Sequence, residues 1–161
     1  MADPLTHFDA AGDARMVTIT DKPETPRSAR ARARVRMGAA TLARIRAGEV
    51  GKGDVLGVAR LAATLGAKQT ATLIPLCHPV RVTGVEVTIA VDEALPGVVI
   101  EARVDAVDRT GPEMEAMTAA TTAALTVYDM CKAMDRGMVI EAVELLEKSG
   151  GKTGLWRREG G

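Results

Sequence analysis

Aromatic residues are nearly absent from this chain of 161 residues, since Phe8, Tyr128 and Trp156 are the only ones. RNA-binding modules of mixed α and β structure stack bases on surface aromatic side chains, so the sequence argues against that class. Alanine is abundant and there are 16 glycines, and a core of such small side chains buries little apolar area per residue. We therefore expect a homo-oligomer, in which contacts between copies supply additional burial.

An excess of charge of one sign is also missing, because 21 basic residues balance 21 acidic ones. Nucleic-acid and membrane binders usually carry a basic excess, so we expect neither partner, and any anion site must be local. No apolar run approaches the ~18 residues of a membrane span. Cys77 and Cys131 lie far apart and do not suggest a disulfide framework. These features favour a reduced, cytoplasmic protein.

The length suits a single domain, and no repeat or linker divides the chain. We expect one domain over residues 1–161, with flexible termini at about 1–12 and 149–161.

Alternation with a period of two marks the strands. In residues 29–37 it predicts a half-buried strand with Arg30, Arg32, Arg34 and Arg36 on one face. We expect that face to be solvated or to contact another subunit, with its arginines paired to acids on neighbouring strands. Two further alternating runs, joined by the turn at residues 96–97, predict a hairpin. Residues 138–147 predict a final strand, although a helix is an alternative.

Three helical segments are predicted before the hairpin. A short helix is predicted at residues 41–47. Asp54 is a typical N-cap for a second helix at 55–65, which Gly66 would end at its C′ position. A further short helix is expected at 67–73.

A long helix follows the hairpin. Thr110 and Glu113 have the spacing of a capping box, which predicts a helix from there to about Met134. The order of strand, hairpin, long helix and strand indicates an α+β fold with helices packed on an antiparallel sheet.

Lys52 lies between two glycines immediately before a predicted helix N-terminus. Backbone N–H groups and a cation that point to one place suit a phosphate. Taken alone, such a loop is more often a turn with an exposed lysine.

Cys77 and His78 lie in a loop with a proline near each end, IPLCHP at residues 74–79. No spacing typical of zinc ligands is present, so a metal-dependent hydrolase is disfavoured. A Cys–His nucleophilic pair is also disfavoured, because adjacent residues rarely align the sulfur with a ring nitrogen. A structural histidine is the alternative, but the rigid loop and the scarcity of histidine make this segment a candidate site.

Asp129 and Lys132 are three residues apart near the end of the long helix and share a face. They could form a simple surface ion pair. However, the segment between Glu115 and Asp129 is almost free of charge, which indicates a buried helix. We therefore expect Asp129 in a partly desolvated pocket, where it can serve as an acid or a base.

The distance along this helix constrains the site. The 14 residues from Glu115 to Asp129 span ~21 Å at ~1.5 Å per residue. If both ends serve one site, they come from different subunits, so we predict an active site at a homo-oligomer interface.

The glycine-rich segment that begins at Lys148 does not have the pattern of a P-loop, because the first glycine of that motif would fall at Leu146 and too few residues remain for the helix that must follow. A phosphate contact and a mobile tail are about equally favoured.

Together these segments resemble the MoaC family of cyclic pyranopterin monophosphate synthases, from residues 5–7 to residues 148–152. The most specific stretches are KGDV at 52–55, IPLCHP at 74–79, EMEA at 113–116 and ALTVYDMCKA at 124–133. One departure is Thr18, where the family commonly has an aspartate.

The resemblance implies a lyase of molybdenum cofactor biosynthesis. It converts (8S)-3′,8-cyclo-7,8-dihydroguanosine 5′-triphosphate to cyclic pyranopterin monophosphate and diphosphate. It also implies a ferredoxin-like α+β fold with helices on one face of the sheet, and a homohexamer, a trimer of dimers with sites between subunits. No metal site or cofactor is implied, apart from any Mg²⁺ that accompanies the triphosphate.

The resemblance assigns roles to the motif residues. Asp129 is implied as the catalytic acid/base and Lys132 as its partner. The implied substrate-binding residues, with Lys148 added as a candidate to neutralise phosphate, are Lys52, Leu76, Cys77, His78, Glu113, Met114, Glu115 and Lys148. The alternative function is a non-catalytic oligomeric module that binds a nucleotide for regulation.

Overall fold

The computed structural model describes residues 6–160. Its helices and strands, in chain order, are β1 (Thr25–Arg36), α1 (Ala39–Arg46), α2 (Val55–Leu73), β2 (Val82–Asp92), β3 (Gly97–Asp108), α3 (Glu113–Cys131), β4 (Val139–Ser149) and β5 (Trp156–Arg157).

The strands form one antiparallel sheet in the order β2-β3-β1-β4-β5. Helices α1 and α2 lie between β1 and β2, and α3 lies between β3 and β4, so β1 to β4 follow the β-α-β-β-α-β order of ferredoxin-like folds. The predicted α+β class is therefore confirmed. The hairpin at residues 96–97 and the final strand are confirmed too.

The helices α2 and α3 lie against one face of the sheet. On β1 this face consists of Ala29, Ala31, Ala33 and Val35, all buried. The inner side of α3 is equally small, with buried Ala116, Ala119, Ala120, Ala123 and Ala124. Small side chains on both layers let α3 approach the sheet closely.

The opposite face of the sheet is open and charged. The four arginines of β1 form ion pairs with glutamates of β3 and β4, as the alternation predicted. The pairs are Arg30–Glu101 (3.2 Å), Arg32–Glu144 (2.8 Å), Arg34–Glu144 (3.2 Å) and Arg36–Glu141 (2.7 Å).

The predicted break at Gly66 is wrong, because α2 continues through it to Leu73. A Cβ built on Gly66 would lie 2.5 Å from Oγ1 of Thr122 and 3.2 Å from the carbonyl oxygen of Thr118 on α3. This glycine therefore permits close contact between two helices and does not end one.

The predicted capping box is also wrong. The N-cap of α3 is Pro112, with no side-chain hydrogen bond to the helix. The carboxylate of Glu113 instead lies 3.6 Å from Nζ of Lys148, so a long-range ion pair replaces the local cap.

No helix within residues 6–160 is both long enough and apolar enough to cross a membrane. The flexible termini stay a prediction, and the part of it that concerns residues 1–5 and 161 lies outside the described residues.

Candidate functional site

The predicted site residues fall into two groups at opposite ends of α3. Lys52, Asp129 and Lys132 form what we call the lysine–aspartate cluster at its C-terminal end. Five of the remaining residues line a cavity at its N-terminal end, and Glu115 and Lys148 lie next to Glu113 beside it; we call these seven residues the cavity cluster. Its predicted members are Leu76, Cys77, His78, Glu113, Met114, Glu115 and Lys148.

The lysine–aspartate cluster joins two elements that are distant in sequence. Asp54 caps α2 by accepting a hydrogen bond of 2.9 Å from the N–H of Gly57. Gly53, before it, has a φ of +98°, in the region that favours glycine. This turn brings Lys52 to the end of α3, where its Nζ donates to the carbonyl oxygen of Asp129 at 3.1 Å.

The carboxylate of Asp129 lies between two ammonium groups. Nζ of Lys132 donates to Oδ1 at 2.6 Å, and Nζ of Lys52 is 3.7 Å from Oδ2. The hydrogen bond from Lys132, and then the charges of Lys132 and Lys52, lower the pKa of Asp129 below its ordinary value. Asp129 is thus ionised at neutral pH, when it can accept a proton, and the two lysines can attract an anion.

The prediction that Asp129 lies in a partly desolvated pocket is wrong for the described chain. Its side chain is 60% exposed, and those of Lys52 and Lys132 are each 51% exposed. The uncharged segment before Asp129 is buried through its alanine side, whereas Asp129 lies on the outer side of α3.

The cavity cluster surrounds a space of about 620 Å³ with mainly apolar walls. The loop at residues 74–78 forms one side, and the start of α3 with Glu113 and Met114 forms the other. His7, Thr110 and Gly111 also line it. We did not assign these three as site residues from the sequence. The only signals were that His7 is one of two histidines and that Thr110 and Gly111 adjoin the motif at Glu113.

Glu115 is the buried acid of this cluster. It is only 2% exposed, and its Oε2 has no hydrogen-bond partner among residues 6–160. Burial raises the pKa of Glu115 to about 7; a backbone hydrogen bond opposes this rise, and the charges of Glu113 and Asp108 add to it. The carboxyl group is therefore able to give or take a proton near neutral pH.

Cys77 lies in the same electrostatic environment. Burial, followed by the negative charges of Glu115 and Glu113, raises the pKa of its thiol. Cys77 is thus held as a thiol, which does not favour a thiolate nucleophile.

Lys148 belongs to β4, and its side chain reaches toward the residues that line the cavity. Its Nζ lies 3.6 Å from Oε1 of Glu113 and donates to Oγ1 of Thr153 at 2.5 Å. It is the cation of this cluster, next to the residues that line the cavity.

The two clusters are not brought together within one chain. Glu115 and Asp129 belong to the same helix, so ~21 Å of helix axis separates them. Thr18, which stands where the MoaC family commonly has an aspartate, is exposed and does not line the cavity.

A smaller cavity, of about 260 Å³, lies on the open face of the sheet between arginines and glutamates. Its guanidinium groups are already engaged by carboxylates, in the pairs Arg30–Glu101, Arg32–Glu144, Arg157–Glu147 and Arg158–Glu144. Among residues 6–160, no group of three or more His, Cys, Asp or Glu side chains could hold a metal ion.

Comparison with known proteins matches residues 16–151 to the model of the MoaC family. A cyclic pyranopterin monophosphate synthase of Thermomicrobium roseum is 57% identical over 155 residues, which cover 96% of this chain and 93% of that protein. A protein of the same name from Heliobacterium modesticaldum is 55% identical over 157 residues, which cover 98% of this chain and 99% of that protein.

Proposed function

The chain belongs to the MoaC family, and from this membership we propose that it is a cyclic pyranopterin monophosphate synthase, a lyase of molybdenum cofactor biosynthesis. Its substrate is (8S)-3′,8-cyclo-7,8-dihydroguanosine 5′-triphosphate, and its products are cyclic pyranopterin monophosphate and diphosphate. The observation that carries this proposal is the position of one ionised carboxylate, Asp129, between Lys52 and Lys132.

The lysine–aspartate cluster suits a triphosphate that must lose diphosphate. Lys52 and Lys132 supply two cations for the phosphates and for the charge that develops on the leaving group. Asp129 accepts a proton from the substrate and returns it as general acid/base. Its lowered pKa keeps it ionised at neutral pH, so that it is free to accept this proton and readily gives it back.

The cavity cluster suits the ring system of the substrate. The apolar walls formed by residues such as Leu76 and Met114 exclude water from a planar ring, and His78, Cys77 and Glu113 provide polar contacts. Glu115, with a pKa of about 7, is the second group that can move a proton during rearrangement of the ring.

We further propose that the complete site forms between two copies of this chain. Two exposed apolar side chains on the outer side of the helical layer support a contact there: Leu61 of α2 is 73% exposed and Leu125 of α3 is 55% exposed. Met114 and Lys132 are 18 residues apart, which is five helical turns, so both lie on that outer side of α3.

A contact of this outer side with itself, about a two-fold axis perpendicular to α3, would run two α3 helices antiparallel. The N-terminal end of one α3 then meets the C-terminal end of the other, which unites Glu113 and Glu115 of one copy with Asp129 of its partner. We propose that such dimers assemble as a trimer of dimers, a homohexamer. Sedimentation of the purified protein tests this, since a monomer would contradict it.

We propose that the protein needs no resident cofactor and that any Mg²⁺ enters with the triphosphate. We also propose a cytoplasmic location, where Cys77 and Cys131, both free thiols, would stay reduced.

The test is incubation of the purified protein with the cyclised triphosphate, without and with added Mg²⁺, followed by mass analysis of the product and a diphosphate assay. We expect product from the wild type and a turnover lower by about two orders of magnitude or more in Asp129→Asn. Asp105→Asn is the matched control, because Asp105 is also exposed and ion-paired, to Arg103 on the open face of the sheet.

Three outcomes separate the possibilities. Product from the wild type and the control alone supports both the synthase and the role of Asp129. Product from all three proteins keeps the synthase and contradicts the role of Asp129. Tight binding of the substrate without product from any of them favours the regulatory module.

A further inference from the structure

Trp156 is the only tryptophan of the chain, and neither the lysine–aspartate cluster nor the cavity includes it. It is 42% exposed, although a large aromatic side chain of this kind is usually well buried. An exposed aromatic side chain can have a binding role or be exposed without one, and the residues around Trp156 distinguish these two cases.

The register of the sheet places Trp156 beside Lys148. The two residues are directly paired across β4 and β5, so their side chains lie on the same face, with Cβ atoms about 5 Å apart. Lys148 is paired in turn with Ala29, which is buried under the helices. Trp156 therefore lies on the helical side of the sheet, next to the lysine that contacts Glu113 at the cavity.

The strand that carries Trp156 is held firmly. On the opposite face, Nε of Arg157 donates to Oε2 of Glu147 at 2.8 Å. Arg158 donates from its backbone N–H to the carbonyl oxygen of Leu146 at 2.9 Å and from Nε to that of Leu145 at 2.8 Å. The indole is thus exposed on an anchored backbone, which lowers the entropic cost of using it to bind.

The loop that leads to Trp156 is equally constrained. Gly150 and Gly151 have φ of +91° and +70°. A Cβ on Gly150 would lie 2.4 Å from the carbonyl oxygen of Pro26, and one on Gly151 would lie 2.3 Å from Nη1 of Arg27. Glycine is needed here for both conformation and space, so this turn fixes where β5 begins.

We propose that Trp156 is a stacking platform for the purine-derived ring system of the substrate, with the ammonium of Lys148 beside it to take an anionic oxygen. The proposal rests on the proposed function for the identity of the ligand. An exposed aromatic plane next to a cation is the combination with which proteins bind nucleotides by stacking and by charge. Trp156 thereby extends the cavity cluster beyond Lys148, along β5.

The first test uses Trp156 itself as the probe. Because it is the only tryptophan, its fluorescence emission can be followed during titration of the full chain with GTP, which carries a purine ring and a triphosphate. We expect GTP to quench or shift the emission with saturation and inorganic tripolyphosphate, which lacks the ring, to leave it almost unchanged. No change at any GTP concentration, or an equal response to tripolyphosphate, overturns the proposal.

The second test compares variants. Trp156→Ala should raise the KM for the cyclised triphosphate about ten-fold, whereas Trp156→Phe, which keeps an aromatic plane, should largely restore it. Leu155→Ala is the matched control, because Leu155 is the adjacent exposed apolar residue and should leave KM unchanged. An unchanged KM in Trp156→Ala, or the same rise in Leu155→Ala, contradicts a stacking role.

The two proposals fail in distinguishable ways. If the wild type makes no product but GTP alone still quenches Trp156, the synthase proposal fails and the platform stands. If the wild type makes product and Trp156→Ala makes it with the same KM, the platform fails and the synthase stands.

Discussion

Asp129 and Glu115 belong to the same helix, but their carboxyl groups have opposite surroundings. Asp129 is exposed and bonded to Lys132 at 2.6 Å, which lowers its pKa. Glu115 is 2% exposed, one of its oxygens has no hydrogen-bond partner in the described part of the chain, and its pKa is about 7. At neutral pH α3 thus presents an ionised carboxylate at one end and a partly protonated one at the other, which is a suitable division between a base and an acid.

Replacing Lys52 with alanine should weaken substrate binding more than it slows the chemical step. The variant removes one of two cations beside Asp129 but leaves the 2.6 Å hydrogen bond from Lys132. We expect KM to rise about ten-fold, which corresponds to one charge-assisted contact of about 1.5 kcal/mol, with a smaller change in kcat. Steady-state kinetics measures both, and Lys68→Ala, an exposed lysine of α2, is the control. A KM equal to that of the wild type would exclude a phosphate contact for Lys52.

Replacing Glu115 with glutamine should change how stability depends on pH. The pKa of Glu115 is raised in the folded state from an ordinary 4.5 to about 7, so the folded protein holds this proton more tightly than the unfolded chain does. Its contribution is fully present below about pH 4.5 and is lost as pH rises to about 7. We therefore expect Glu115→Gln, which cannot ionise, to gain stability over the wild type by about 1–3 kcal/mol across this interval.

Urea unfolding of both proteins at pH 4.5 and pH 7.5 measures this difference. A difference that does not grow with pH would mean that Glu115 ionises normally. Glu113→Gln serves as the comparison, since Glu113 is less buried and is paired with Lys148.

Much of the fold follows from local patterns. The alternation in β1 was sufficient to predict the strand and the direction of its side chains. Its alanines face the helices and its arginines face glutamates, so a shift of the register by one residue would bury four charges. The sequence motifs that contribute to both clusters could also be found, because each motif is a short run of adjacent residues. The separation of Glu115 from Asp129 depends on the length of helix between them, and this length follows from the number of residues.

Features that depend on a partner element were not predictable. The charge-free segment of α3 correctly indicates burial, but it does not tell which side of the helix carries Asp129. The relation of Trp156 to Lys148 depends on the pairing of β5 with β4, and a strand of two residues leaves no periodic signal. Gly66 has the local signature of a helix end, whereas its actual role is set by Thr122 of another helix.

A substitution at Gly66 tests the close contact between α2 and α3 through its effect on stability alone. Gly66→Ala should destabilise the protein by about 1–3 kcal/mol, because its Cβ would lie 2.5 Å from Oγ1 of Thr122. This is opposite to the stabilisation that alanine normally brings to a helix interior. Adding Thr122→Ala removes the nearest atom, Oγ1, and should recover part of the loss, while Cβ of residue 122 at 2.9 Å and the carbonyl oxygen of Thr118 at 3.2 Å remain. Thermal unfolding of the two single variants and the double variant measures this coupling, and a stabilised Gly66→Ala would contradict the close helix contact.

Complementation between two inactive variants tests whether the site is shared by two copies. Asp129→Asn removes one half of the proposed site and Glu115→Gln the other, and ~21 Å of helix axis prevents one chain from uniting them. In a mixed dimer, one of the two sites contains both replacements and the other contains neither. Equal co-expression should therefore restore about a quarter of the wild-type activity if copies pair at random. Each variant expressed alone, and the two mixed after assembly without exchange of subunits, are the controls and should stay inactive. A co-expressed sample with no more activity than the single variants would place the chemistry within one chain and contradict the antiparallel contact of α3.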